Sequence, residues 1–183
     1  MKNALSQNLI LCGFKSSGKT FLGTLLAKEQ ACLFFDADHL IEDLYQKKFQ
    51  EKCTCRQISI KLGENGFRML EKGAIDQLKD VANAVIALGG GAVLDLENCA
   101  RIQKLGKIIY LEADKETIQR RIFCSGLPSF LDPLAPEESF ERMYASRQSI
   151  YEKVCALKVD MRGKTNRQVL DELMAIQNSL GRF

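Results

Sequence analysis

The sequence predicts an α/β fold of three layers, αβα, with helices over both faces of a five-stranded parallel sheet. Three observations carry that prediction. Short apolar runs with few charges recur along the chain, as strands buried on both faces require. Stretches with apolar residues at steps of three and four lie between them, the spacing of one helix face. The chain is 183 residues long, 46% hydrophobic and 27% charged, without repeat, low-complexity tract or linker, so residues 1–183 are read as a single domain.

Taken in order, residues 9–13 form the first strand, and Phe21, Leu25 and Leu26 mark the first helix. Residues 32–35 form the second strand, followed by a helical pattern at Leu40, Ile41 and Leu44. Residues 45–72 make a long excursion, mostly helical in pattern but interrupted at Gly63 and Gly66. Residues 84–88 and 108–111 give the third and fourth strands. Asp114 then caps a helix carrying Ile118 and Ile122. Residues 124–136 hold all three prolines and read as an irregular segment. Residues 156–159 are the fifth strand, and Thr165 with Gln168 makes a capping box before Val169, Leu173, Ile176 and Leu180. Strand and helix in alternation imply right-handed crossovers. Segments inserted over the strand ends of such a sheet serve as substrate-binding regions and lids, here about 37–78 and about 124–136.

A net charge of +3, evenly spread, makes no footprint for nucleic acid or a membrane surface. No apolar run approaches the roughly 20 residues that span a bilayer, and residues 9–12 are too short for a secretory segment. The seven cysteines read as small buried thiols in a reducing, cytoplasmic compartment. Cys53 and Cys55 are the one close pair, and His39 is the single histidine, so neither a zinc site nor a histidine triad is expected. Chemistry here must run on carboxylates, lysine, arginine and backbone donors.

Directly after the first strand stands Gly13-Phe14-Lys15-Ser16-Ser17-Gly18-Lys19-Thr20, which fits G-x-x-x-x-G-K-[ST] in the required order of strand, loop and helix. Its glycines let successive backbone N–H groups turn inward, and the helix N-terminus adds its positive end, so the loop cradles an anion. Lys19 would reach the β- and γ-phosphates of a nucleoside triphosphate, and the Thr20 hydroxyl would take one Mg²⁺ position. A guanine-reading N-K-x-D is ruled out because no Asn-Lys pair occurs in the chain.

Asp36 and Asp38 follow the second strand, whose end opens into the same crevice. If the strand persists, alternation points both carboxylates the same way, one toward Mg²⁺ and the other toward an acceptor hydroxyl. Asp38 is also a candidate helix cap. Arg68, between apolar neighbours, offers a fork for a carboxylate or an i,i+3 pair with Glu71. Gly89, Gly90 and Gly91 bare the backbone after the third strand, where a tight turn needs only one glycine.

Residues 13–20, Asp36-Ala37-Asp38, Phe67-Arg68 with Glu71, Gly89-Gly90-Gly91-Ala92-Val93 and Arg147, in that order, resemble the shikimate kinase family over nearly the whole chain. The resemblance implies a P-loop kinase of the nucleoside-monophosphate-kinase-like fold. Its members transfer the ATP γ-phosphoryl group to the 3-hydroxyl of shikimate, a step toward chorismate and the aromatic amino acids. Carried over, it makes Lys19, Asp36 and Asp38 catalytic, and Thr20 and Asp36 the Mg²⁺ ligands. Gly13, Ser16, Ser17, Gly18, Lys19, Thr20 and Phe21 would hold ATP. Asp38, Phe67, Arg68, Gly89, Gly90, Gly91 and Arg147 would hold shikimate, with the two arginines on its carboxylate. A monomer with ATP and shikimate as its partners is expected.

The chain departs from the family at three places. The lid arginine that precedes a proline is replaced by Leu127, and Arg120, Arg121 and Arg142 are the nearest substitutes, with Arg121 expected to compensate. The excursion is longer than expected around residues 49–55. Lys164 stands where the family has an arginine beside the adenine, and a solvated basic turn is the competing reading. Two other functions compete: a kinase of this fold for gluconate or a nucleotide, and a regulatory domain without catalysis. Two arginines with a triple glycine speak against the first, and intact Lys19, Thr20, Asp36 and Asp38 against the second.

Overall fold

The computed structural model describes residues 7–128 and 130–180. In chain order the elements are β1 Asn8–Cys12, α1 Lys19–Gln30, β2 Leu33–Asp36, α2 Ala37–Phe49, α3 Cys55–Asp76 and β3 Ala84–Ala87. Then come α4 Leu96–Leu105, β4 Gly106–Glu112, α5 Lys115–Cys124, α6 Pro136–Val154, β5 Leu157–Asp160 and α7 Asn166–Leu180. The five strands are all parallel, in the order β2-β3-β1-β4-β5. That order sets the ends of β1, β2 and β3 side by side, so the segments leaving them open at one edge.

Alternation along the central strands builds two cores. Ile10, Cys12, Ile86, Ile108 and Tyr110 face α4, α5 and α6 through Ile102, Ile118, Ile122, Phe140, Tyr144 and Tyr151. Leu9, Leu11, Val85, Ile109 and Leu111 face α1 and α7 through Leu22, Leu26, Val169, Leu170 and Leu173. A third, smaller core of Ile41, Tyr45, Cys53, Ile58 and Ala74 joins α2 to α3 and makes that region a unit of its own. At the opposite end of the sheet, the buried Asn8 amide donates to Val81 O at 2.7 Å and Leu105 O at 2.9 Å, and accepts from Ala84 N at 3.0 Å.

The five strands lie where expected, but not all are buried on both faces. β2 and β5 are edge strands, and Leu33, at the start of β2, is 58% exposed although it pairs with Ala84 of β3. The excursion is broken at Gly63 (φ 67°, ψ −178°) and not at Gly66, which is helical. Two helices, α4 and α6, lie outside the patterns read from sequence. The capping box at Thr165 and Gln168 and the Asp114 cap, which accepts from Thr117 N at 2.9 Å, are as expected. The cysteines are all free, but only Cys12, Cys53 and Cys99 are buried: Cys32, Cys55 and Cys155 are half-buried, and Cys124, where α5 ends, is exposed.

Candidate active site

The phosphate loop leaves the central strand β1 and ends at Gly18, whose φ of 96° starts α1 with no side-chain cap. The first amides of α1 are thereby left for an anion. Lys19 is 8% exposed, and its Nζ donates to Gly13 O at 3.0 Å and Phe14 O at 2.7 Å. Burial lowers its pKa, opposed first by the charge of Asp38 and also by that of Asp36. Ser17 turns inward: its amide closes a turn onto Phe14 O at 3.2 Å, and its hydroxyl is buried without a partner among the described residues. Phe21 is 53% exposed on α1.

β2 ends at Asp36, and Asp38 already belongs to the first turn of α2. The expectation that strand alternation aligns the two carboxylates is therefore corrected. Asp36, and not Asp38, is the cap: its Oδ1 accepts from Asp38 N at 2.9 Å. Its Oδ2 accepts from Thr20 Oγ1 at 2.6 Å. Asp38 is thus released from capping and opens onto the crevice. Protein mass around its carboxyl, foremost, and then the Asp36 charge raise its pKa, with Lys19 opposing.

Thr20 and Asp36 supply hard oxygen donors side by side. Among the described residues no group of three or more His, Cys, Asp or Glu is placed to hold a metal. Two protein oxygens beside a phosphate loop fit Mg²⁺, which keeps waters and takes its remaining ligands from phosphate.

The acceptor side is built on α3, the glycine turn after β3, and α6. Glu71, 2% exposed, accepts from Arg68 Nη1 at 2.6 Å and from Asn98 Nδ2 at 3.1 Å, which fixes the Arg68 fork. The glycines are spaces. A Cβ at Gly89 would meet Asp38 Oδ1 at 2.7 Å, one at Gly90 would meet Lys15 N at 3.0 Å, and one at Gly91 would meet Arg68 Nη2 at 2.6 Å. Tyr151 donates its hydroxyl to Gly90 O. Arg147 lies over the Phe130 ring at 4.5 Å. Burial lowers the Arg147 pKa, Tyr151 opposes, and the neighbouring Arg68 charge adds to the depression. Two guanidinium groups that repel each other in a partly buried crevice call for an anion between them. Phe67 packs on the small core of α2 and α3, with the Arg68 guanidinium 5.9 Å from its ring centroid.

Of the more distant candidates, Arg121 reaches the phosphate loop, donating from Nη1 to Ser16 O at 2.9 Å. Arg142 pairs with Glu138 on its own helix at 3.8 Å. Lys164 pairs with Glu172 at 2.5 Å, which favours the basic-turn reading. Asn98, Tyr151 and Phe130 were missed in the sequence. Only Tyr151 had a signal, lying at i+4 from Arg147.

A family model described as shikimate kinase matches residues 15–177. The shikimate kinase of Alkaliphilus oremlandii is 32% identical over 170 residues, covering 92% of this chain and 97% of that protein. Among solved structures, the shikimate kinase from Acinetobacter baumannii in complex with shikimate superposes with a TM-score of 0.83 at 26% identity, covering 96% of this chain and 95% of that one. The shikimate kinase from Aquifex aeolicus gives 0.76 at 28% identity, covering 96% and 99%. Site and comparisons agree: the chain belongs to the shikimate kinase family of ATP-dependent kinases.

Proposed function

We propose that this chain transfers the γ-phosphoryl group of MgATP to the 3-hydroxyl of shikimate in the cytoplasm, as a monomer. The observation that carries the acceptor is the convergence of Arg68, Arg147, Asp38 and the triple glycine on the crevice beside the phosphate loop. A small ring acid with vicinal hydroxyls matches that set: two arginines for its carboxylate, Asp38 for its hydroxyls, and the Gly90 amide at its edge. Residues 37–78 then form the acceptor region and residues 124–136 the lid.

Catalysis is mainly positioning and charge neutralisation. Lys19 exchanges the Gly13 and Phe14 carbonyls for phosphate oxygens, together with the α1 amides. Asp38 orients the attacking hydroxyl and takes its proton, for which its raised pKa suits it. Thr20 and Asp36 would hold Mg²⁺, which when bound neutralises phosphate charge. Arg121, already on the loop, would cover the phosphates in place of the arginine absent at Leu127. The deciding assay is ADP release from MgATP with and without shikimate, beside Lys19→Ala as background. Release should depend on shikimate and fall by about a thousandfold or more in the variant. ATP binding without shikimate-dependent release would overturn the reading.

A further inference from the structure

Leu127 leaves the lid without a cation of its own next to Pro128, yet a guanidinium lies there. It belongs to Arg56, the second residue of α3, far away in sequence. Its Nη2 donates to Leu127 O at 2.9 Å, and its Nη1 reaches Ser125 O at 3.5 Å. Between those two carbonyls sits Gly126 in the left-handed region (φ 87°), where a Cβ would come within 2.9 Å of Arg56 Nη1. Glycine thus does two things at once: it permits the turn and leaves room for the guanidinium beside it. The Leu127 side chain packs on the main core, so its backbone is what it offers outward.

The same turn is tied from its other side. Arg121, one turn earlier on α5, donates to Ser16 O of the phosphate loop. The lid therefore leaves α5 between two arginines, one facing the nucleotide side and the other rising from the acceptor side. Arg68 lies farther along α3, beyond the break at Gly63, and Thr54 and Gln57 cap the first turn reciprocally, so Arg56 stands on a fixed base at the start of that segment.

We propose that Arg56 is a positioning residue for phosphoryl transfer: it fastens the lid's entry turn, residues 125–127, to the first part of α3, before the break at Gly63 and within the acceptor region, so that occupancy of that region closes the lid. This rests on the assignment of those two regions above. In that arrangement the lid is steered by α3, and water is excluded only when the acceptor is in place.

Arg56→Ala, Arg56→Lys and Gly126→Ala are to be compared with the unaltered protein, varying shikimate and ATP separately and measuring ADP release without shikimate. Arg56→Ala should raise the shikimate KM about fivefold to tenfold, with the ATP KM within about twofold, and should raise the share of ADP released without transfer several-fold. Arg56→Lys should restore part of both, and Gly126→Ala, which displaces the guanidinium, should reproduce both. A Tm change with kinetic constants and idle hydrolysis unaltered would mean a merely structural role and overturn the proposal, as would equal changes in both KM values. Absence of shikimate-dependent release in the unaltered protein would instead overturn the proposed function.

Discussion

Asp38 illustrates how one side chain trades stability for chemistry. A carboxyl whose native pKa is raised holds its proton more tightly when folded, so its stabilising contribution is present below the unfolded pKa of about 3.9 and is lost as pH rises through the raised native value. Asp38→Asn removes that loss. Its Tm should exceed that of the parent at neutral pH and converge with it toward pH 3, while the transfer rate falls by roughly 10²–10⁴. A pH series of calorimetric scans beside the ADP-release assay checks both, and a Tm difference independent of pH would contradict the argument. Lys19, Asp36 and Asp38 were legible because they follow strand ends in a motif with a mechanism, whereas Arg68, inside α3, was legible only through its apolar neighbours and the family resemblance. Their supports were not. Asn98 meets Glu71 across 27 positions, and Arg56 meets Leu127 across 71, separations that no local pattern encodes.

Elements were legible where periodicity was clean, and less so where caps carry the information. α4 is capped by Asp95, whose Oδ1 accepts from Asn98 N at 2.9 Å, yet its apolar face is thin: Cys99 and Ile102 are buried, Leu105 packs partly on the core, and Leu96 is 87% exposed. α6 begins with Pro136 at its first turn and buries Phe140, Tyr144 and Tyr151. The proline that opens this helix reads in sequence as the end of an irregular segment. Asp95→Ala should cost about 1 kcal/mol and lower Tm by roughly 2–4 °C, because the cap is lost at one helix only. Thermal unfolding checks it, with the ATP KM expected to stay unchanged. The correction at Asp36 is of the same kind. The side-chain cap lies one residue before α2, which ends the strand early and turns Asp38 onto a helix.

Across the whole molecule, the two ends of the sheet divide their duties. Asn8 binds strand starts together at one end, and loops collect at the other. Ile10, fully buried on the central strand between β3 and β4, joins the larger core. Ile10→Ala should cost about 2–5 kcal/mol, a large share of a domain's roughly 5–15 kcal/mol, seen as a lower urea midpoint with an unchanged slope. The layered fold was legible as a whole because three of the five strands are apolar on both faces. Phe14 of the phosphate loop stacks on Tyr144 at 4.3 Å and meets Tyr151 edge-on at 4.9 Å, and Tyr151 in turn holds the Gly90 carbonyl. One aromatic block thus links the phosphate loop to the glycine turn, and under the proposed function a ligand that orders one of them is expected to order the other. This is a coupling free energy, and linkage makes it mutual: the factor by which a non-hydrolysable ATP analogue tightens shikimate is the factor by which shikimate tightens the analogue. Calorimetric titration should find that factor at about fivefold or more, and Tyr151→Phe, which keeps the ring but frees Gly90, should bring it toward unity from both directions.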